Sequence, residues 1–266
     1  RSRFGSGRAL TVRLSGRQFA RYSRHLLMDD IGVNGQDRLL NSHILIVGMG
    51  GLGCPAALYL AAAGIGRMTV CDADVVADSN LHRQILYRQG DVGEFKVDCA
   101  KRALQEVNAD LVVQAYAQSV SAEILDGDYQ LVLDCTDNLA ARGLLNRHCR
   151  ASRLPLVSAS AIGWEGQLLA FDFVRQQSPC FNCSITQSKP EAATELAEDC
   201  SSAGVLGPVL GVMGSLQATT AIAMILGYFQ QHGELQRYDG KSGRWMNVTL
   251  STNPNCQLCC GSKVDV

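Results

Sequence analysis

Short apolar runs and amphipathic stretches take turns along the first 160 residues. Ile44–Val47 is apolar and mostly β-branched, the pattern of a strand buried on both faces. Met68–Cys71, Leu111–Tyr116, Leu131–Asp134 and Leu156–Ser158 read as further strands. Pro55–Ala63 predicts a helix, with proline near its start and Gly64 past its end. In Lys96–Val107, Val97, Ala100, Leu104 and Val107 share one helical face, and Ala140–Arg150 is also helical. Upstream, Ser15-Gly16-Arg17-Gln18 has the form of a capping box. Phe19, Tyr22 and Leu26 follow at helical spacing, with Arg17, Arg21 and Arg24 off that stripe. Strands alternating with helices predict a parallel α/β sheet.

The pattern changes after about Ser160. Gln167–Phe173 alternates weakly and reads as a strand. Ser188–Asp199 is the most acidic stretch and reads as a loop, with a short exposed helix over Glu191–Glu198 as the alternative. Val209–Tyr228 is a long apolar helix, and Leu235–Tyr238 and Trp245–Leu250 are strands joined by the turn Asp239–Gly243. Ile44–Gly66 and Cys200–Gly233 lack formal charge for long enough to raise a membrane span. Their glycines, and Gln217, Thr219 and Thr220 in the second, favour a strand–loop–helix unit and a buried helix instead. No repeat or linker divides the chain. The expected organisation is a flexible segment over 1–14, one domain over 15–261 and a tail over 262–266.

Composition narrows the function classes. Of 266 residues 47% are apolar, which excludes a disordered chain. Lys plus Arg is 24 and Asp plus Glu is 25, so a net charge of −1 gives no bulk attraction to nucleic acid or to an anionic membrane. Eleven cysteines in a long chain, an odd number, argue against a secreted disulfide framework and for a reducing, cytoplasmic compartment. Arg1–Arg13 contains no apolar segment of a signal peptide.

Gly48-Met49-Gly50-Gly51-Leu52-Gly53 matches G-x-G-x-x-G between a strand and a helix. Such a loop lets backbone approach phosphate at a helix N-terminus. Asp72 ends the next strand, where a carboxylate can accept from ribose hydroxyls. The loop alone leaves NAD, FAD, S-adenosylmethionine and ATP open. Asp78-Ser79-Asn80-Leu81-His82-Arg83-Gln84 then gathers hydrogen-bonding groups without helical periodicity. Asp134-Cys135-Thr136-Asp137-Asn138 stands at the carboxyl end of another strand, the edge where open α/β sheets bind ligands. There Arg83 and Lys96 could hold a triphosphate, with Asp137 holding Mg²⁺ against it.

Cys180-Phe181-Asn182-Cys183 and Cys256-Gln257-Leu258-Cys259 are two C-x-x-C units separated by 72 residues. Four thiolates suit a closed tetrahedral Zn²⁺ site, which is structural because no position remains for substrate. Cys54, Cys71, Cys99, Cys135 and Cys149 lie in apolar or helical settings and read as buried, inert thiols. Cys200 follows the acidic loop and is a candidate nucleophile or sulfur carrier, although Glu198 and Asp199 would raise its pKa.

Taken together, these residues resemble the ThiF/MoeB/HesA adenylyltransferases, bacterial relatives of the ubiquitin-activating enzymes. The resemblance runs from about Gln18 to Gly261. It rests on Arg21-Tyr22-Ser23-Arg24, the Gly48–Gly53 loop, Ser79-Asn80-Leu81 with Arg83-Gln84, Asp134–Asn138, Gly204-Val205 with Gly211-Val212, and both cysteine pairs. It implies a Rossmann-like, mostly parallel sheet extended by C-terminal antiparallel strands, with a structural zinc site. It implies ATP-dependent adenylation of the C-terminal Gly of a ubiquitin-like sulfur carrier ending in Gly-Gly, with release of pyrophosphate. Asp72 would hold the ribose, and Gly51, Asn80 and Gln84 would line the nucleotide. Arg83 and Lys96 would hold phosphates and Asp137 would bind Mg²⁺. Arg24 would cross into the partner site of a homodimer, and Cys200 would join sulfur transfer.

This sequence departs from the family pattern in three places. His82 replaces the usual Gln, Phe95 stands where Pro commonly precedes the lysine, and Ser201 follows Cys200 where the thiamine branch often has Arg. Tyr238-Asp239-Gly240-Lys241-Ser242 and Met28-Asp29-Asp30-Ile31 look more like the thiamine branch than the molybdopterin branch. The chain stops just after Cys259, leaving no room for a rhodanese-like domain, so a separate sulfur donor is expected. The alternatives are a molybdopterin-synthase carrier as substrate, an NAD-dependent oxidoreductase, and a catalytically silent carrier-binding module.

Overall fold

The computed structural model describes residues 14–174, 178–187, 204–230 and 233–259. The expectations for the acidic loop, Cys200 and both termini lie outside these residues. Eight strands form one sheet in the order β3-β2-β1-β4-β5-β6-β7-β8. They are β1 (His43–Val47), β2 (Arg67–Cys71), β3 (Val112–Tyr116), β4 (Leu131–Asp134), β5 (Leu156–Ile162), β6 (Glu165–Phe171), β7 (Glu234–Asp239) and β8 (Arg244–Thr249). The first five pair in parallel, as the alternation of strands and helices predicts, and the last three add antiparallel, as the resemblance implies. β2 and β4 flank β1 on opposite sides, so chain direction across the sheet reverses there and a crevice opens beyond the carboxyl ends of β1 and β4.

Helices α1 (Gly16–Arg21), α2 (Ser23–Leu26) and α3 (Gly32–Leu40) precede the sheet. The capping box at Ser15 forms in both directions: its hydroxyl accepts from the Gln18 N–H at 3.2 Å, and its N–H donates to Gln18 Oε1 at 3.0 Å. α3 escapes the periodicity analysis because its buried positions are Gly35, Gln36 and Leu39, only one of them a large apolar residue. Its buried Gln36 donates to the Ala63 carbonyl at 3.0 Å. Helices α4 (Gly53–Ala63), α5 (Lys96–Val107), α6 (Ala122–Leu125) and α7 (Leu139–Ser152) alternate with the strands. α8 (Phe181–Gln187) carries the first cysteine pair, and α9 (Gly207–Leu226) crosses the sheet.

α9 is long and apolar enough to span a membrane by length and composition. It packs here against α4, α3 and strands β4, β5 and β6, which explains why both it and α4 are apolar around most of their circumference. The two helices approach closely at Gly214, where a Cβ would lie 2.5 Å from the Leu52 carbonyl oxygen and 2.5 Å from Pro55 Cγ.

Two strands differ from the periodicity reading by more than one residue. β5 runs four residues past Ser158, because Ala159–Ile162 pair with Glu165–Leu168 of β6 around the tight turn at Gly163-Trp164. That hairpin register also moves β6 two residues toward the N-terminus of Gln167–Phe173. The helix after Phe95 starts at Lys96 as expected. Phe95 holds φ −62° and ψ 133°, a conformation proline would also adopt, so the departure from Pro leaves that helix start intact.

Gly214→Val should therefore lower stability by about 1–3 kcal/mol through overpacking of α9 on α4. The urea midpoint, measured against the unsubstituted chain, checks this; an unchanged midpoint would mean that the crossing can open without cost.

Candidate active site

The crevice beyond β1 and β4 is a cavity of about 1230 Å³. Gly48, Gly50, Gly51, Asp72, Asn80, Arg83, Gln84, Lys96 and Asp137 all line it. Seven of the residues that the motifs single out therefore meet there: Gly51, Asp72, Asn80, Arg83, Gln84, Lys96 and Asp137. Arg24 does not; it is exposed on α2 and no part of this lining.

The loop is shaped by close backbone approach. Gly48 has φ +91°, and a Cβ on it would come within 2.6 Å of the Cys135 carbonyl oxygen. Glycine here lets the end of β1 pass directly beside the end of β4. Asp72 then fixes the loop from the next strand: Oδ2 accepts from the Met49 N–H at 2.7 Å and Oδ1 from the Asp74 N–H at 2.8 Å. Burial raises its pKa, and nearby Lys96 opposes that shift. Each carboxylate oxygen retains a further lone pair for a donor such as a ribose hydroxyl.

A cationic wall faces the loop. Lys96 is buried yet lines the cavity, and its Nζ lies 2.7 Å from Oδ2 of the exposed Asp74. Arg83 Nη1 donates to the Ser79 carbonyl at 2.8 Å, which holds the guanidinium beside its own short 3₁₀ turn, Asp78–Asn80. Gln84 is almost fully buried, and its Oε1 has no hydrogen-bond partner among the described residues. Asp137 is exposed at the far side, just before Asn138, whose side chain caps α7 by accepting from the Ala141 N–H at 2.8 Å.

Beneath Asp137 lies a polar network in which the motifs singled out only Asp134 and Thr136. Asp134 is fully buried; Oδ2 accepts from Ser158 Oγ at 2.6 Å, and Oδ1 accepts from Thr136 Oγ1 at 2.7 Å and the Thr136 N–H at 3.1 Å. Arg142 Nε sits 2.9 Å from Oδ2 as an ion pair without hydrogen-bond alignment. Arg142 Nη2 donates to the carbonyls of Thr136 at 2.9 Å and Ala159 at 2.8 Å. Gln217 of α9 donates to the Asp134 carbonyl at 2.9 Å. A lone amide within a long charge-free helix was the available sequence signal for this network, since a buried amide demands partners.

The four paired cysteines converge. All four sulfurs lie within 4.8 Å of one another, with Cys180–Cys183 at 3.9 Å, Cys180–Cys256 at 3.8 Å and Cys183–Cys259 at 3.6 Å. Zn–S bonds of about 2.3 Å in a tetrahedron put sulfurs roughly 3.8 Å apart, close to these three separations, so the donor set fits Zn²⁺. The other described cysteines are buried, as expected. Burial pushes the Cys54 and Cys71 thiols up to about 12 and that of Cys99 up to about 11, and it raises Cys135 and Cys149 as well. Elemental analysis should find one zinc per chain, and Cys256→Ser should lose it with a fall in melting temperature; a metal-free protein of unchanged stability would contradict the assignment.

Comparison with known proteins gives a consistent result. The family model described as "ThiF family" matches residues 22–258. The "Sulfur carrier protein ThiS adenylyltransferase" of Escherichia coli (strain K12) is 42% identical over 255 residues, covering 95% of this chain and 99% of that protein. The "Molybdopterin-synthase adenylyltransferase" of the same organism is 40% identical over 250 residues, covering 92% of this chain and 98% of that protein. A crystal structure of E. coli MccB superposes with a TM-score of 0.78 over 95% of this chain and 75% of its own, at 20% identity, a likeness of fold. By the extent of these matches and the order of its motifs, the chain belongs to the ThiF family.

Proposed function

We propose that this enzyme adenylates the C-terminal glycine of a ubiquitin-like sulfur carrier protein, in the branch that makes the thiazole of thiamine. The observation that carries the reading is the convergence, on one cavity, of the glycine loop, the Asp72 carboxylate, two cations and Asp137. The thiamine branch is favoured by the ThiS adenylyltransferase relative, 42% identical across almost its whole length.

The chemistry asks for charge control on both sides of one phosphorus. A carboxylate oxygen of the carrier glycine attacks the α-phosphate of ATP, the α–β bridging bond breaks, and pyrophosphate leaves with the electron pair. The product is an acyl adenylate. In this reading the Gly48–Gly53 loop and the first turn of α4 receive phosphate through backbone N–H groups. Asp72 accepts from the ribose, and Asn80, Gln84 and Gly51 border the nucleotide. Lys96 exchanges its ion pair with Asp74 for the triphosphate, and Arg83 joins it against the charge that grows on the leaving group. Mg²⁺ bound with ATP at Asp137 would screen the repulsion between carboxylate and phosphate.

Arg24 enters this scheme only from a second copy of the chain in a homodimer. Cys200 acts after adenylation, in sulfur transfer from a separate donor, and residues 15–261 act as one unit.

Mixing the protein, Mg-ATP and a carrier ending in Gly-Gly should add the mass of AMP to the carrier. Modification of the thiamine-type carrier at a higher kcat/KM than the molybdopterin-type supports the branch; the reverse preference moves the protein to the other branch. No adduct and no pyrophosphate exchange with either carrier overturns the activity. Asp137→Ala should slow adduct formation by about 10²-fold or more. Cys200→Ala should spare the adduct and impair sulfur transfer. Mixed Arg24→Ala and Asp137→Ala chains should regain about a quarter of the activity, because statistical hybrids hold one intact site in every second dimer.

A further inference from the structure

One link in the structure serves neither the nucleotide loop nor metal coordination. Phe181 lies between the two cysteines of the first pair, and it also lines the cavity. The Arg142 guanidinium carbon sits 5.4 Å over the centre of its ring. That guanidinium, itself nine-tenths buried, holds the Thr136 and Ala159 carbonyls and faces Asp134. One helical turn further along α7, the buried Asn146 accepts the Phe181 N–H at 3.1 Å and donates to Asn182 Oδ1 at 3.3 Å. Arg142 and Asn146, four residues apart, share one face of α7. One grips the strand ends that carry Asp137, and the other grips the cysteine turn.

We propose that Arg142 and Phe181 are a positioning pair that couples the four-cysteine centre to the nucleotide cavity. Metal at the four thiolates fixes the Cys180–Cys183 turn and with it the ring of Phe181. The ring holds the guanidinium by a cation–π contact in a site nearly free of water, where such contacts are strongest. The guanidinium sets the Thr136 carbonyl, one residue before Asp137. Coupling of this kind is reciprocal: a ligand that orders the Asp137 segment must also tighten the metal site by the same factor. The pair touches no reacting atom and acts through Asp137 and the cysteine turn. The inference rests on the reading of the cavity as a nucleotide site.

The test uses the zinc-loaded protein and measures, at equilibrium, the transfer of zinc to the chromophoric chelator 4-(2-pyridylazo)resorcinol. Transfer is followed with and without saturating Mg²⁺ and α,β-methylene-ATP, which cannot be cleaved at the α–β bond. Nucleotide binding is measured separately by calorimetry. Bound nucleotide should lower zinc transfer at least about fivefold, the lower range of measured couplings. Phe181→Tyr, which keeps an aromatic face, should retain the effect. Phe181→Leu should reduce it below about twofold while still binding both zinc and nucleotide. Arg142→Lys provides the second route to the same loss should the leucine variant fail to fold. Nucleotide that binds without lowering zinc transfer overturns the coupling alone, as does full coupling in a folded Phe181→Leu or Arg142→Lys protein. Failure of the nucleotide to bind at all overturns the reading of the cavity together with it.

Discussion

A buried carboxylate at the end of β4 organises this molecule. Asp134 has no solvent exposure, and a carboxylate moved from water into such a place is costly unless every lone pair finds a donor. Its partners come from three directions: Ser158 of β5 and Thr136 of the turn that follows donate hydrogen bonds, and Arg142 of α7 supplies the opposite charge. Its main-chain carbonyl is taken by Gln217 of α9. A single residue thereby ties together two strands, a turn and two helices. Removal of one partner would leave the others holding an uncompensated ion.

The functional groups sit directly above that anchor. Asp137 is three residues along the same turn, and the Gly48 backbone passes against Cys135, the neighbour of Asp134. The glycine-loop half of the cavity is thus built on the reversal point of the sheet, where two strands diverge and leave room beyond their ends. Its cationic members are held in place by the protein in advance of any ligand. Lys96 is buried with Asp74 as its counter-ion, and Arg83 is tethered to Ser79. Charge positioned in this way needs little movement to meet an anion.

The sequence was most informative where one residue type has few alternative uses. The apolar runs at Ile44–Val47 and Leu131–Asp134 have few soluble fates other than a buried strand, and paired C-x-x-C units have few fates other than metal. The cavity residues were legible through motifs that set glycines, carboxylates and cations at strand ends. Less accessible were features decided by long-range pairing. The length of β5 depends on its hairpin with β6, and α3 buries glycine and glutamine where periodicity looks for aliphatic residues. Arg142 was invisible for a related reason. An arginine on a helix usually faces water, and its burial follows from the position of Asp134, which no local pattern encodes.

The paired cysteines also bear on how the chain comes apart. Between Cys183 and Cys256 lie 72 residues, among them α9, β7 and β8. A metal joining the two ends closes that segment into a loop. By the chain-entropy relation for cross-links, such closure removes on the order of 4 kcal/mol of freedom from the unfolded ensemble. Strand β8 forms the outer edge of the sheet, paired on one side only, and every residue in it is exposed. It would be the first strand to peel away, yet with metal in place peeling releases a tethered arc rather than a free tail. With zinc held by the four cysteines, the resistance of the sheet to fraying from this side would depend on free zinc in the surroundings as well as on the contacts of the strand itself.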